Sequence, residues 1–230
     1  MLISKIKGFK YPDAELVRWF FKNKIYEIST KKVLEFGSHN GNNLALFASY
    51  DYECLGVDLS KENIKNANFN FKELFKYKKC KFFIDDIKNF AKEKSDIKAS
   101  VFLIPNVINF LTKNEFITLL KNARQNKLYS YGGGDEKNVY SHFFLRARSV
   151  KDYRYGLGKS LENGSFLLVD DEYTGEKGCI CTAYQEYELV ELLKKYLNLF
   201  DFELITSENI NVKNKKLIKD SDIIIYGKIC

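Results

Sequence analysis

The sequence predicts an α/β protein, a doubly wound and mostly parallel sheet with helices on both faces. Two observations carry that expectation. Apolar runs of strand length alternate with stretches whose apolar residues recur at helical spacing, the pattern of strand–helix–strand crossovers. The first strand also runs through a glycine loop directly into a helix, VLEFGSHNG followed by NNLALFA. With 230 residues and 45% hydrophobic composition, the chain supports one good core, expected as a single domain over residues 1–230.

Each element has its own signal. Tyr11-Pro12-Asp13 opens the first helix, because proline suits a first turn and Leu16, Val17, Phe20 and Phe21 recur at helical spacing; it ends near Asn23. Residues 32–36 form a short apolar strand, 37–41 a tight loop, and 42–50 a helix. The unit recurs as strand 54–58 with a helix from Ser60, strand 81–84 with a helix to about Lys94, and strand 100–104. Thr112, with Glu115 three positions on, forms a capping box for the helix carrying Phe116, Leu119, Leu120 and Ala123. After the Gly132-Gly133-Gly134 turn, residues 139–146 are the next strand. Residues 149–181 break the alternation with glycine, tyrosine and charge, hold one clear strand at 165–169, and read as an insertion over the sheet. A helix at 185–196 follows, then strands at 202–206 and 222–227 separated by a lysine- and asparagine-rich loop, 208–219.

Composition narrows the function classes. No apolar run is long enough for a membrane span, and MLISKIKGFKYPD lacks the apolar stretch of a signal peptide, so a cytoplasmic protein without a membrane partner is expected. Cys54, Cys80, Cys179, Cys181 and Cys230 lack C-x-x-C spacing; reduced structural thiols and no metal are expected. The net charge of +7 is spread along the chain rather than gathered in a block, which argues against a nucleic-acid partner.

Glu35-Phe36-Gly37-Ser38-His39-Asn40-Gly41 puts an acid at the strand end, then two glycines that let the backbone turn sharply and approach a ligand. Asp58 ends the next strand about 20 residues on, where an acid can bind a ribose diol. A nucleoside ligand is therefore expected. The G-x-G-x-x-G pattern that faces a pyrophosphate is absent.

VLEFGSHNG resembles the first motif of the class I S-adenosylmethionine (SAM)-dependent methyltransferases, and the later landmarks fall in order along nearly the whole chain. The resemblance implies a seven-stranded sheet in the order 3-2-1-4-5-7-6, closed by an antiparallel pair, with SAM as cofactor and S-adenosylhomocysteine as product. It implies that Glu35 lies near the methionine part, that Gly37, Ser38 and Gly41 form the floor, and that Asp58 holds the ribose with Leu59 on the adenine. Asp86, or Asp85 one position earlier, would accept from the adenine amino group, with Ile87 beside it. Pro105 and Asn106 would meet the reactive methyl. Residues 1–30 would be a lid, from which Tyr11 and Arg18 could reach the cofactor carboxylate. His39 departs from the family, many members of which have a third glycine there.

For the acceptor, His142 on or beside the fifth strand is the first candidate base, against the plainer reading of a hydrogen-bonded strand histidine; Asp170, Asp171 and Glu172 are a second set. Arg146, Arg148, Tyr153, Arg154 and Tyr155 suit phosphate or carboxylate and stacking, which points to a small anionic acceptor methylated on oxygen before nitrogen. Surface-polysaccharide assembly is the expected setting, by loose similarity. Ile104-Pro105-Asn106-Val107 lacks the motif expected of a DNA-base methyltransferase. RNA or protein methylation, a nicotinamide-dependent oxidoreductase and a non-catalytic SAM-binding module are the alternatives.

Overall fold

Ten strands and six helices account for the fold in the computed structural model, which describes residues 2–129, 140–169, 175–213 and 215–230. The expected glycine turn at 132–134 and the acids Asp170, Asp171 and Glu172 lie outside the described residues. Strands β1 (Lys32–Phe36), β2 (Glu53–Asp58), β3 (Cys80–Ile84), β4 (Val101–Pro105) and β5 (Ser141–Arg148) are mutually parallel. The closing strands β9 (Phe200–Lys213) and β10 (Lys216–Ile229) are antiparallel, with β10 inserted between β5 and β9. The main sheet reads β3-β2-β1-β4-β5-β10-β9. Three short strands, β6 (Lys159–Ser160), β7 (Ser165–Leu167) and β8 (Ile180–Thr182), form a second sheet in the stretch read as an insertion, so the closing pair is ninth and tenth in the chain rather than sixth and seventh.

Alternate residues of each central strand feed two cores. Leu34, Phe36, Phe102 and Ile104 pack under α4 (Ile87–Glu93), α5 (Lys113–Gln125) and α6 (Glu186–Leu197). Val33, Val101, Leu103 and Phe144 pack against α1 (Ala14–Lys22) and α2 (Asn42–Ala48), through Leu16, Trp19, Leu44 and Phe47. Burial on both faces is why these strands read as nearly unbroken apolar runs. The capping box expected at Thr112 and Glu115 is present on α5, whereas Pro12 falls before the first turn of α1, whose cap is Asp13; Ser60 caps α3 (Lys61–Asn68).

The expected loop at 208–219 is a correction. Residues on both sides of it pair continuously, from Ser207 against Asp222 out to Lys213 against Lys216, so the closing strands extend as a long hairpin. The ladder has not ended there: Ile210, Val212 and Leu217 share one face and stay exposed, while Ile218 on the other is buried. Among the described residues no helix is long and apolar enough to cross a membrane, and no group of three or more His, Cys, Asp or Glu could hold a metal.

Candidate functional site

The carboxyl ends of β1, β2 and β4, roofed by the segment that leads into α1, enclose a cavity of about 450 Å³. Doubly wound sheets bind ligands there, where strand order reverses between β1 and β4.

The loop after β1 is built by two backbone constraints. Gly37 (φ +70°) and Gly41 (φ +80°) are left-handed, and a Cβ would stand 2.8 Å from Val107 at the first and 2.6 Å from the Phe71 ring at the second. The Gly37 and Ser38 amides both donate to Val57 O, at 2.9 and 3.0 Å, tying the loop to β2. His39 is also left-handed (φ +48°), which glycine accepts freely and histidine adopts at a cost of about 1 kcal/mol. Its amide donates to Asp58 Oδ2 at 2.8 Å, while Asp58 Oδ1 accepts from Ser60 N and Asn63 Nδ2 at 2.9 and 3.2 Å. Asp58 therefore shapes the loop as well as facing the cavity.

Asn40 fastens the leading segment over that loop. Its Nδ2 donates to Lys7 O and Phe9 O, both at 2.8 Å, and its Oδ1 accepts from Phe9 N at 3.0 Å. With the amide oriented in that way, His39 Nδ1 donates to Asn40 Oδ1 at 2.7 Å, and Nε2 is the ring nitrogen outside that bond. The Phe9 ring lies on the imidazole, with centroids 4.4 Å apart.

Beneath the cavity, Glu35 is fully buried. Asn43 Nδ2 donates to its Oε1 at 2.7 Å, and its Oε2 has no hydrogen-bond partner among the described residues. Burial pushes its carboxyl up to about 8, the Asn43 bond opposes this, and the charges of Asp58 and Asp13 add to it. A carboxyl with a raised folded value gives stability that is full below its ordinary value of 4.5 and lost as pH rises through about 8. Glu35→Gln should flatten the pH dependence of urea denaturation across that window and leave the variant the more stable protein at its upper end. A wild-type stability that stays level from pH 5 to pH 9 would contradict the burial argument. From Asn43 the chain of bonds continues upward. Asn43 Oδ1 accepts from Asp13 N at 2.8 Å, and Asp13 Oδ2 accepts from the Arg146 guanidinium at 2.6 Å. Arg146 in turn grips Asp222 Oδ2 at 2.9 and 2.6 Å.

Of the residues expected at the cofactor, Tyr11, Gly37, His39, Asp58, Pro105 and Asn106 line the cavity. Glu35, Ser38 and Gly41 stand behind that lining. Leu59 is exposed beside Asp58; Asp85 is held next to it by its amide on Asp58 O at 3.1 Å. Asp86 accepts from Lys88 N as the cap of α4, and Ile87 is buried in the core. Arg18 does not reach the cavity: it is exposed on α1, 3.7 Å from Glu15.

The acceptor residues need larger corrections. His142 pairs with Val101, the first residue of β4, whereas the cavity opens at Pro105, the last. Four residues of strand separate them, roughly 13 Å. His142 sits in another recess with Trp19, Asp201 and Lys228, where burial first and the Lys228 charge second lower its imidazole to about 4. It is not the base. None of the five acceptor candidates lines the cavity. Arg146 is spent on Asp13 and Asp222; Arg148 reaches Glu176 and Cys181; Arg154 is bound to Asp152, Glu176 and Asp220. The Arg154 guanidinium lies on the Tyr153 ring, and Tyr155 packs edge-on against Phe166. Sequence reading missed Phe9, Asp13, Asn42, Asn43, Val107 and Phe110, all of which line the cavity. The cap signal at Asp13 and the asparagine run after His39 were the available clues.

No protein-family model matches the chain, and no curated protein sequence matches it. Solved structures do. A SAM-dependent methyltransferase from Methanosarcina mazei superposes with a TM-score of 0.61 at 20% identity, covering 90% of this chain and 96% of its own. The N-terminal domain of EvdMO1, crystallised in the presence of S-adenosylhomocysteine and D-fucose, gives 0.63 at 15% identity, covering 100% and 93%. The chain has the fold of the SAM-dependent methyltransferases. Magnesium protoporphyrin IX methyltransferase from Synechocystis, solved with SAM bound, shares that fold at a TM-score of 0.54 and 12% identity, over 93% of this chain and 76% of its own. In the methyltransferase fold of this chain, the cavity, the glycine loop and Asp58 all fall at the sheet's switch point.

Proposed function

We propose that the chain is a SAM-dependent methyltransferase acting on a small molecule. The observation that carries this reading is Asp58, a carboxylate at the end of β2 that faces a cavity of about 450 Å³ and is held in place by the amides of His39 and Ser60. Its Oδ2, which accepts the His39 amide alone, keeps acceptor capacity for a ribose hydroxyl. The orphaned Glu35 Oε2 below the glycine loop adds an unmet polar group under the methionine end. Leu59 and Asp85, adjacent to Asp58, would carry the adenine beyond the enclosed part of the cavity. When bound, SAM supplies an electrophilic methyl on a sulfonium. The chain's part is then alignment: Pro105, Asn106 and Phe110 at the end of β4 would hold the acceptor in line with that methyl. An oxygen acceptor needs a group to take its proton, and the lining imidazole is that of His39, whose Nε2 would serve.

The expectation of an anionic acceptor loses its carriers, because the arginines behind it are paired with carboxylates inside the protein. No residue of the cavity specifically carries a setting in polysaccharide assembly. An oxidoreductase reading fares worse: at the start of α2, Asn42 and Asn43 are engaged by Tyr11 and Asp13, where a pyrophosphate would need a bare helix end.

Thermal-shift measurement with S-adenosylhomocysteine and with NAD separates the readings. S-adenosylhomocysteine should raise the melting temperature by several degrees at saturating concentration, and NAD should not. A shift with NAD alone would overturn the proposal. Methyl transfer from labelled SAM across panels of small hydroxyl and amine compounds, RNA and protein then tests the acceptor class; labelling of RNA alone would refute the small-molecule reading.

A further inference from the structure

Cys54 on β2 and Cys80 on β3 are register partners in neighbouring parallel strands, so both side chains leave the sheet on the same face. Adjacent strands stand about 4.8 Å apart, within the roughly 4.4–6.8 Å between Cα atoms that a disulfide spans. Their surroundings differ. Cys54 is sealed in the core under α2, its Sγ 3.5 Å from Tyr52 O and 3.7 Å from Leu44 O. Cys80, itself buried, lines a recess of about 230 Å³ on the outer side of that core, together with Asp51, Tyr52, Lys76, Tyr77, Lys78 and Lys79, three cations to one acid. All three lysines are exposed. Hydrogen bonding from Cys54 holds the Cys80 thiol below its ordinary value, whereas burial pushes Cys54 up.

We propose that Cys80 and Cys54 form a thiol–disulfide exchange site for small anionic disulfides, of the class of glutathione disulfide, with Cys80 as the attacking and Cys54 as the resolving thiol. The Cys80 thiolate attacks one sulfur of the disulfide RS–SR; the Cys80 S–S bond forms, the RS–SR bond breaks, and one RS⁻ leaves with a proton from solvent. Cys54 then attacks Sγ of Cys80 and expels the second RS⁻, which takes the Cys54 proton. The protein dithiol loses two electrons and the small disulfide gains them, giving two RSH. The lysines draw in the anion, and the hydrogen bond from Cys54 favours the Cys80 thiolate. The other cysteines lack this pairing: Cys179 and Cys230 are only partly buried, and Cys181 lies 3.0 Å from the Arg148 guanidinium.

The test treats the folded full chain with glutathione disulfide, quenches with an alkylating reagent and maps peptides by mass. A Cys54–Cys80 disulfide is expected in the wild type, a glutathione adduct trapped on Cys80 in Cys54→Ser, and unmodified Cys54 in Cys80→Ser. The cationic disulfide cystamine should react about tenfold more slowly at low salt, with the gap closing as salt is added. That comparison and the wild-type map need no variant to fold. Free, alkylated Cys54 and Cys80 in wild-type protein whose Cys179 or Cys230 carries glutathione would overturn the proposal, as would faster reaction with cystamine.

Discussion

Asp58→Ala is expected to cost about 100-fold in affinity for S-adenosylhomocysteine, measured by isothermal titration calorimetry. A hydrogen bond from a ribose hydroxyl to the Asp58 carboxylate contributes about 1.5–3 kcal/mol, and the upper end of that range makes up the factor. The same carboxylate receives the His39 and Ser60 amides, so the loop should loosen in the variant as well. Asp58→Asn separates the two roles. It keeps one acceptor oxygen for the loop and loses the charge, so its affinity should fall between those of the wild type and the alanine variant. Urea denaturation run in parallel establishes that both variants fold. A folded Asp58→Ala protein with unchanged affinity would remove the ribose role and, with it, the reading of the cavity.

Asp152→Ala should cost about 3 kcal/mol of folding stability, read from the urea midpoint, because it removes the enclosed carboxylate between Arg148 and Arg154 and leaves them the more exposed Glu176 and Asp220. The Asp152 side chain is fully enclosed and accepts from Arg154 Nε and NH2 at 2.7 and 2.8 Å and from the Ser221 amide at 3.1 Å, with Arg148 Nε 3.8 Å away. Burial alone would raise its carboxyl, but the Arg154 hydrogen bonds and the Ser221 amide outweigh burial and hold it below the ordinary 3.8. The stability it contributes is therefore present above pH 3.8 and lost as pH falls through the depressed value, so acid unfolding of the wild type should include this step. S-adenosylhomocysteine affinity should be nearly unchanged in the folded variant, since Asp152 stands away from the cavity. A loss below 1 kcal/mol would show that the arginines find other partners.

The contrast between these two acids shows what the sequence could reveal. Asp58 was legible because its role is local: a strand end, a glycine loop one strand earlier and a cap three residues before Asn63 all lie in short windows. The same holds for the five parallel strands and for the capping box at Thr112 and Glu115. The arginine network was not legible, because Arg148 and Arg154 meet Glu176 and Asp220, distant in the chain, and a guanidinium reads the same in sequence whether it awaits a ligand or is already paired. His142 failed for a related reason. Its strand was recognised, but its position along the strand, opposite Val101 rather than Pro105, is set by a register that short-range patterns do not encode. The hairpin at 207–222 was missed because polar residues on both faces mask a period of two.

The insertion of β10 between β5 and β9 has a consequence for the order in which a growing chain can assemble. As synthesis proceeds, β1 to β5 emerge first and can pair in parallel, but the far edge of β5 stays open until residues 216–229 leave the ribosome. Arg146 then waits for Asp222, and the Ser149 amide waits for Ser221 O. The wall of the cavity that Asp13 shares with Arg146 is thus completed by a strand made after all the others of the sheet, so a nascent chain holds its glycine loop well before it holds that wall.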